Sequence, residues 1–292
     1  AIEWVRSNPL MDSMLAQGVR TLSGSLIVKA GATGYNPAWA VLTNIPMDIG
    51  YLWMTQAGRA SGYSLFPPKF IAQLGTDYAQ VFKDTILKKG RYEQAMAEGL
   101  GMETLTRESS PFKYTQVSGI LGKIVDYLGW IGNTTEQLTR LAHRERLIKK
   151  GYDPITATQI ARERIDYSVG VDYAKAVDVG APYLNSAIQA TRGVLRASKR
   201  NPKEFTYKVG YIAAITAGLW FANRTVNPEN YDAIDDKRKV HYWVITTPLS
   251  YRDKDGNIRH FSFGIRKDHG QQVISTLFEA MLERIFNKRL PS

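Results

Sequence analysis

The sequence predicts a mainly α-helical protein, an irregular multi-helix domain of about eight or nine helices with one C-terminal β-hairpin. Apolar residues recur at helical spacing through most of the 292 residues. Two β-like runs, residues 241–247 and 258–265, flank an Asp-Gly turn signal, and the last stretch returns to helical spacing. We expect a helical domain over residues 1–230, followed by the hairpin and a closing amphipathic helix packed on it over residues 231–292.

An apolar segment near the N-terminus, residues 35–54, carries a single charge, Asp48. Asn36 is a suitable N-cap for a helix that begins at Pro37, because proline is tolerated in the first helical turn. Pro46 falls inside the same helical pattern and removes a backbone donor, so we expect a kink there. We expect Asn36 and Asp48 to cap and anchor this kinked core helix. Asp48 should pair with an arginine elsewhere, Arg140 or Arg162, because a buried unpaired carboxylate is costly.

Caps and breakers mark the other helices. Thr134-Thr-Glu-Gln137 fits a capping box, Gly151 ends that helix, and Asp153 with Pro154 opens the next. The glycine-dotted residues 90–114 indicate an exposed insertion. Apolar periodicity predicts further helices over residues 12–29, 69–89, 117–130, 155–167, 182–199, 203–223 and 271–287. In the last of these, one face holds Val273, Ile274, Leu277, Phe278, Met281, Leu282 and Ile285.

The charge of the chain favours an anionic partner. A net charge of +11 and a pI near 9.6 suit nucleic acid, anionic lipid or an acidic protein. Arg192, Arg196 and Arg200 recur every four residues, so they form a stripe on one helix face that could track phosphates. The alternatives are a solvated helix face or cations that complement a helix C-terminus. The candidate nucleic-acid-binding residues are Arg140, Arg144, Lys149, Lys150, Arg192, Arg196, Lys199, Arg200 and Lys203.

Motifs for catalysis or metal binding are absent from the sequence. With no cysteine, the chain has no disulfide, thiolate zinc site or cysteine nucleophile. The four histidines form no two-histidine helical metal motif, and neither a phosphate-binding P-loop nor a nucleophile elbow is present. The sequence therefore predicts a protein that is not an enzyme and has no metal, cofactor or small-molecule substrate.

Two apolar runs raise the question of a membrane. Residues 209–223 are too few to span a bilayer, which takes about 20 residues. Residues 35–54 are numerous enough, but Asp48 at their centre is costly in lipid. Buried core helices are the favoured interpretation, and insertion into a membrane after rearrangement stays open.

An ordered set of short motifs carries a family resemblance. Residues 136–192 resemble the large polyvalent protein-associated domains of giant phage proteins, including the internal virion (ejection) proteins of short-tailed phages. Near the N-terminus Asn36-Pro37, Trp39, Asn44 and Asp48 also match the family, although the arginine of its Arg-Asp pair is absent here. The matching positions of the main block are Glu136, Thr139-Arg140, Gly151, Ala161-Arg162, Asp166-Tyr167, Pro182-Tyr183, Asn185, Gln189 and Arg192.

The resemblance implies a non-enzymatic structural module, and a fragment of a much longer virion protein. Such proteins are packed inside the capsid or at the portal and tail. They are ejected into the host periplasm and inner membrane, where they help to form a genome-delivery channel. The implied partners are other copies of the chain and other ejection proteins, with DNA and the host inner membrane left open. Asn36, Pro37, Asp48, Asp153 and Asp166 are expected to be structural.

The alternatives from other classes are a nucleic-acid-binding accessory domain of a large phage enzyme and a peptidoglycan hydrolase. The missing catalytic motifs argue against the hydrolase.

Overall fold

The computed structural model describes residues 38, 40–59, 61–101, 120–165, 184–252, 254, 256 and 258–287. Within these ranges it contains ten α-helices and one two-stranded antiparallel sheet near the C-terminus, so the predicted fold class is confirmed. The predicted helix over residues 12–29, the proposed cap at Asn36 and Pro37, and Asp166 lie outside the described residues.

The helices of the first half are α1 (Ile45–Gln56), α2 (Pro67–Leu87), α3 (Arg91–Ala97), α4 (Ile120–Lys149) and α5 (Pro154–Ile165). Those of the second half are α6 (Leu184–Arg200), α7 (Pro202–Val226), α8 (Pro228–Asp232), α9 (Asp236–His241) and α10 (His269–Leu282). Strands β1 (Tyr242–Arg252) and β2 (Ile258–Arg266) lie between α9 and α10.

The chain divides into two compact units, each with its own packing. Unit 1 comprises residues 1–45 and 55–193, and unit 2 comprises residues 46–54 and 194–292. This division differs from the expected boundary at residue 230. Helix α7 belongs with the C-terminal elements because it packs against both β1 and α10.

The irregularity expected at Pro46 takes the form of a π-helical turn. Residues Ala40–Asn44 form this turn directly before α1. Proline has no N–H to offer to the preceding turn, and a wider turn before it accommodates the missing hydrogen bond. Beyond Pro46 the helix carries the buried run Tyr51, Leu52, Trp53 and Met54. The apolar character of this segment therefore reflects a core helix.

Helix α4 is the centre of unit 1, where it packs against α2, α3 and α5. It runs from Ile120 to Lys149 without a break, so the capping box predicted at Thr134 is wrong. The motif lies within the helix because its Gln137 is buried on the same face as Leu138 and Leu141, which packs against the neighbouring helices. Gly151, at a φ of 92°, follows the end of this helix as predicted.

Two neighbouring segments of unit 1 also bear on the predictions. Helix α5 begins at Pro154, and the Asp153 carboxylate accepts a hydrogen bond from the Thr156 N–H (3.0 Å). The exposed insertion predicted over residues 90–114 is wrong for its first part. Helix α3 forms there, and Ala95 and Leu100 are fully buried because α3 packs against α2 and α4.

Unit 2 is built on α7, which carries the hairpin on one side. Its core contains Trp220, Tyr231, Ile234 and Val244. The Asn223 side chain fixes the hairpin to α7. Its amide donates to the Val244 carbonyl (2.9 Å), and its carbonyl oxygen accepts from the N–H of Thr246, two residues later in β1 (2.9 Å). A buried amide with both ends satisfied sets the register of β1 on the helix.

The closing helix α10 packs with only part of the face that its sequence predicts: Ile274, Phe278 and Leu282 are partly buried, and Leu282 packs against the core. The buried positions of α10 are Gly270, Gln272 and Ser275, whereas four apolar side chains of the predicted face are more than half exposed. Polar bonds orient the helix this way: Gln272 donates to the Lys267 carbonyl (3.0 Å), and Glu279 accepts from Tyr231. The exposed side chains are Val273, Leu277, Met281 and Ile285.

Candidate nucleic-acid interface

Five of the nine candidate cations lie exposed on α6 and at the start of α7. Arg192, Arg196 and Arg200 lie at four-residue intervals, so they share one face and cover about 12 Å of the helix. Lys199 and Lys203 are also exposed. The neighbouring face of α6 is small and apolar, with Ala190, Gly193 and Ala197 buried. We call the five exposed cations the cationic row: Arg192, Arg196, Lys199, Arg200 and Lys203.

The positive charges of the cationic row are not neutralised by neighbouring carboxylates. No aspartate or glutamate occurs from Leu184 to Lys203. Within the described part of the chain, none of the five cations forms an ion pair. Lys199 and Arg200 lie in the last turn of α6, where they complement the helix dipole. Arg192 and Arg196 lie one to two turns earlier, where the dipole offers little, so they are available to an anion.

The four candidate cations from Arg140 to Lys150 divide into two buried and two exposed residues, which corrects the prediction for the buried pair. Arg140 and Arg144 are fully buried on α4, so neither can reach a phosphate outside the protein. The Arg144 guanidinium instead binds the Glu98 carboxylate through Nη2 (2.7 Å) and Nε (3.0 Å), and Nε also donates to the Thr158 hydroxyl (2.7 Å). Lys149 and Lys150 are exposed and remain candidates.

Glu98 is held as an anion by this buried contact. Burial works against its ionisation, but hydrogen bonds from Thr158 and Arg144 outweigh burial and lower the pKa of the carboxyl. A buried arginine that binds a carboxylate in this way fixes helices together. The arrangement is structural rather than catalytic, since each charged atom is occupied by its neighbour.

A second internal contact joins Arg146 to the loop before α2. Its guanidinium donates to the Asp77 carboxylate (2.9 Å) and to the Ser61 carbonyl (2.9 Å), and it lies 4.2 Å from the centre of the Tyr63 ring. The Tyr63 hydroxyl also donates to Asp77 (3.1 Å). Burial, followed by the Asp77 charge, raises the pKa of Tyr63 far above its usual range, so the phenol stays neutral.

The pairing expected for Asp48 with Arg140 or Arg162 stays a prediction. Asp48 is buried, as expected of a carboxylate that anchors a core helix.

A polar cleft lies in unit 2 between α7, β1 and α10. It has about 270 Å³ of empty space, its open mouth included, and its walls include Trp220, Tyr231, Lys267 and Glu279. The buried Lys267 ammonium donates to the Lys239 carbonyl (2.7 Å). Burial lowers the pKa of Lys267 to about 8, and the Glu279 charge opposes this. The Tyr231 hydroxyl donates to the Glu279 carboxylate and the Trp220 ring N–H to Glu283, so the polar groups that line the cleft have partners within the protein.

The carboxylate of Asp268 caps α10 in a buried position. Its Oδ1 accepts from the N–H groups of Gly270 (2.7 Å) and Gln271 (3.2 Å), while Oδ2 has no hydrogen-bond partner among the described residues. Burial raises the pKa of Asp268 to about 7, against the effect of the two backbone donors.

The histidines form no metal site in the part of the chain that the structure describes, where no group of three potential ligands occurs. His143 is buried beside the Tyr63 ring, with ring centres 6.2 Å apart. His241 Nδ1 lies 3.1 Å from the Gln272 side-chain oxygen. Burial lowers the pKa of His269, with Arg266 and His241 adding to the effect. The described helices include none that is long and apolar enough to cross a membrane.

No family model matches the sequence, and neither a curated protein nor a solved structure is detectably similar to it.

Proposed function

We propose that this chain is a non-enzymatic structural module of a phage internal virion protein. In this role it is carried in the particle, enters the host envelope on infection, and assembles there with copies of itself and with other ejected proteins around the passing genome. The observation that carries the DNA-facing part of the proposal is the cationic row, five exposed cations with no carboxylate among them. The resemblance to ejection proteins supports the virion part.

The physical basis is the phosphate backbone of DNA. Each cation that neutralises a phosphate releases a condensed counterion, so a row of arginines on one helix face attracts duplex DNA without reading its sequence. Such non-specific attraction suits a module that lines or guides a passing genome. Arg192 and Arg196 carry this role best, because neither forms an ion pair with a described residue and neither lies in the last helical turn.

A second candidate, a nucleic-acid-binding accessory domain of a large phage enzyme, is favoured by the same cationic row. The two differ in where the chain resides. The accessory domain works in the infected cell, whereas the ejection module is packed in the particle.

Binding to duplex DNA across a salt series tests the DNA-facing role. We expect log K to fall linearly with log salt, by about 0.9 for each phosphate contact. Replacing Arg192, Arg196 and Arg200 by alanine should reduce this slope by about 3. These side chains are exposed, so the variant should keep the wild-type melting temperature, which is checked in parallel.

The matched control replaces three exposed lysines of unit 1, Lys69, Lys83 and Lys89, by alanine, which lowers the net charge by the same amount. The control should keep the wild-type slope. Equal losses in both variants would assign binding to net charge alone, and no binding by the wild type at low salt would overturn the DNA-facing role.

A further inference from the structure

The β-hairpin of unit 2 packs one face against α7 and leaves an apolar outer face uncovered. Successive side chains of a strand point to opposite faces of the sheet. In β1, Val244 and Thr246 point inward and are buried, while Ile245 between them is exposed. Its partner Phe263 is 63% exposed. The hairpin therefore presents a second, outward apolar surface.

Five large side chains make up this outward surface, which we call the hairpin face. In β2 the alternation places Phe261, Phe263 and Ile265 on it, and all three are exposed. The Tyr251 ring packs against the Phe261 ring, with centres 4.9 Å apart, so it extends the same surface past the irregularity in β1. The hairpin face consists of Ile245, Tyr251, Phe261, Phe263 and Ile265.

The exposed area of the hairpin face is large enough for a protein interface. A fully buried aromatic side chain removes about 150–250 Å² from water, so five half-exposed large side chains offer roughly 100 Å² each. Their sum, about 500 Å², lies near the upper end of the apolar patches that monomeric proteins expose. Two such faces pressed together would cover about 1,000 Å², which is the lower limit for a specific protein interface.

The composition of the hairpin face fits a copy of itself. It combines three aromatic and two β-branched side chains, and Ile245 lies directly opposite Phe263 across the strands. Aromatic–β-branched pairs of this kind stabilise a sheet across its strands, and a two-fold axis brings the same surface of two copies together. Two sheets that pack face to face lie about 10 Å apart, and their inner side chains interdigitate.

We propose that the hairpin face is the surface through which two copies of this chain associate, forming a four-stranded sandwich across a two-fold axis. This deepens the proposed function, since it names the surface by which the module assembles with copies of itself. The cationic row lies outside the hairpin face, so self-association and DNA binding are measured separately.

Sedimentation equilibrium of the wild-type chain and of a Phe261→Ser/Phe263→Ser variant tests the proposal. We expect a dimer for the wild type and a dissociation constant raised about tenfold or more in the variant, because aromatic residues at the centre of an interface carry most of its affinity. The matched control, Phe66→Ser/Phe82→Ser, removes two exposed phenylalanines from unit 1 and should dimerise like the wild type. Circular dichroism melting shows whether each variant folds.

A second measurement keeps the test independent of those substitutions. The chain has no native cysteine, so a Thr247→Cys variant carries a single spin label beside the hairpin face. A label-to-label distance measured in the dimer supports the proposal when it places the two hairpins together. Three results would overturn it: a wild-type monomer at every concentration, a dimer that survives in the Phe261→Ser/Phe263→Ser variant, or a monomer that binds lipid vesicles through this face.

Discussion

At Asp268, burial disfavours the ionised form of the carboxyl that caps α10. Its carboxyl is needed as the N-cap of α10, yet the position is 98% buried and one oxygen has no hydrogen-bond partner among the described residues. The carboxyl pKa rises from an ordinary 3.8 to about 7 because the ionised form loses its hydration. The unfolded chain releases this proton near pH 4, whereas the folded chain keeps it until about pH 7. Unit 2 therefore loses stability as the pH rises through that window.

We predict that Asp268→Asn flattens this pH dependence. Asparagine keeps an acceptor oxygen for the N-cap and carries no charge to be buried. In the wild type, Asp268 contributes a loss of up to about 1.4 kcal/mol of unfolding free energy per pH unit between pH 4 and 7. The variant should lack this loss and melt at a higher temperature at pH 8.

Thermal denaturation followed by circular dichroism at several pH values measures the effect. Glu229→Gln, at an exposed position of unit 2 that forms no ion pair with a described residue, is the control and should keep the wild-type pH profile. An Asp268→Asn profile that parallels the wild type from pH 4 to 7 would show that the carboxyl ionises normally in the folded chain.

Whether a charged residue is buried is the property that the sequence predicts least well. Arg140 and Arg144 have the same local pattern as Arg192 and Arg196, two arginines four residues apart on a helix. The first pair lies inside the protein, because Glu98, 46 residues away from Arg144, supplies the carboxylate that offsets the burial of Arg144. Spacing along one helix predicts which residues share a face. It cannot tell whether another helix covers that face.

Helix positions follow from sequence more reliably than helix contacts. The periodic segments that became α2, α5, α6 and α7 begin and end within a few residues of their predicted limits. The errors occur where a tertiary contact overrides a local signal. One such signal is the capping box at Thr134, which lies within α4. The apolar stripe of α10 is another: four of its seven side chains are more than half exposed, because the bonds of Gln272 and Glu279 turn polar positions of the helix inward.

Alanine substitutions at two helical glycines of unit 2, Gly50 and Gly218, should change the free energy of unfolding in opposite directions. A Cβ added at Gly50 on α1 would lie 2.7 Å from Asp268 Oδ2 and 3.0 Å from the Gln271 side chain. Asp268 cannot move aside without giving up its N-cap bonds. We predict that Gly50→Ala destabilises the chain by about 1–3 kcal/mol through overpacking.

Gly218→Ala is the matched control on α7, where an added Cβ meets nothing within 4 Å. Alanine is the better helix former there, so we expect a gain of about 0.5–1 kcal/mol. Urea unfolding of both variants measures the two free energies. If Gly50→Ala were neutral or stabilising, the close approach of α1 to the N-terminus of α10 would be disproved.

The whole molecule combines two kinds of exposed surface with two packed units. Buried ion pairs and aromatic contacts hold unit 1 together, and the polar bonds of α7, the hairpin and α10 do the same for unit 2. Outside these cores, the cationic row suits a polyanion and the hairpin face suits a second copy. The proposed function uses the first of these surfaces, and the proposed dimer uses the second.

The central claim is that the chain travels in the phage particle and enters the host envelope. Quantitative mass spectrometry of purified particles, and of host envelope fractions before and after infection, tests it most directly. The account predicts peptides of this chain in intact particles, their loss from emptied particles, and their appearance in the envelope fraction after infection. Peptides found in the infected cell but never in particles would contradict it, and would favour the accessory domain of a phage enzyme.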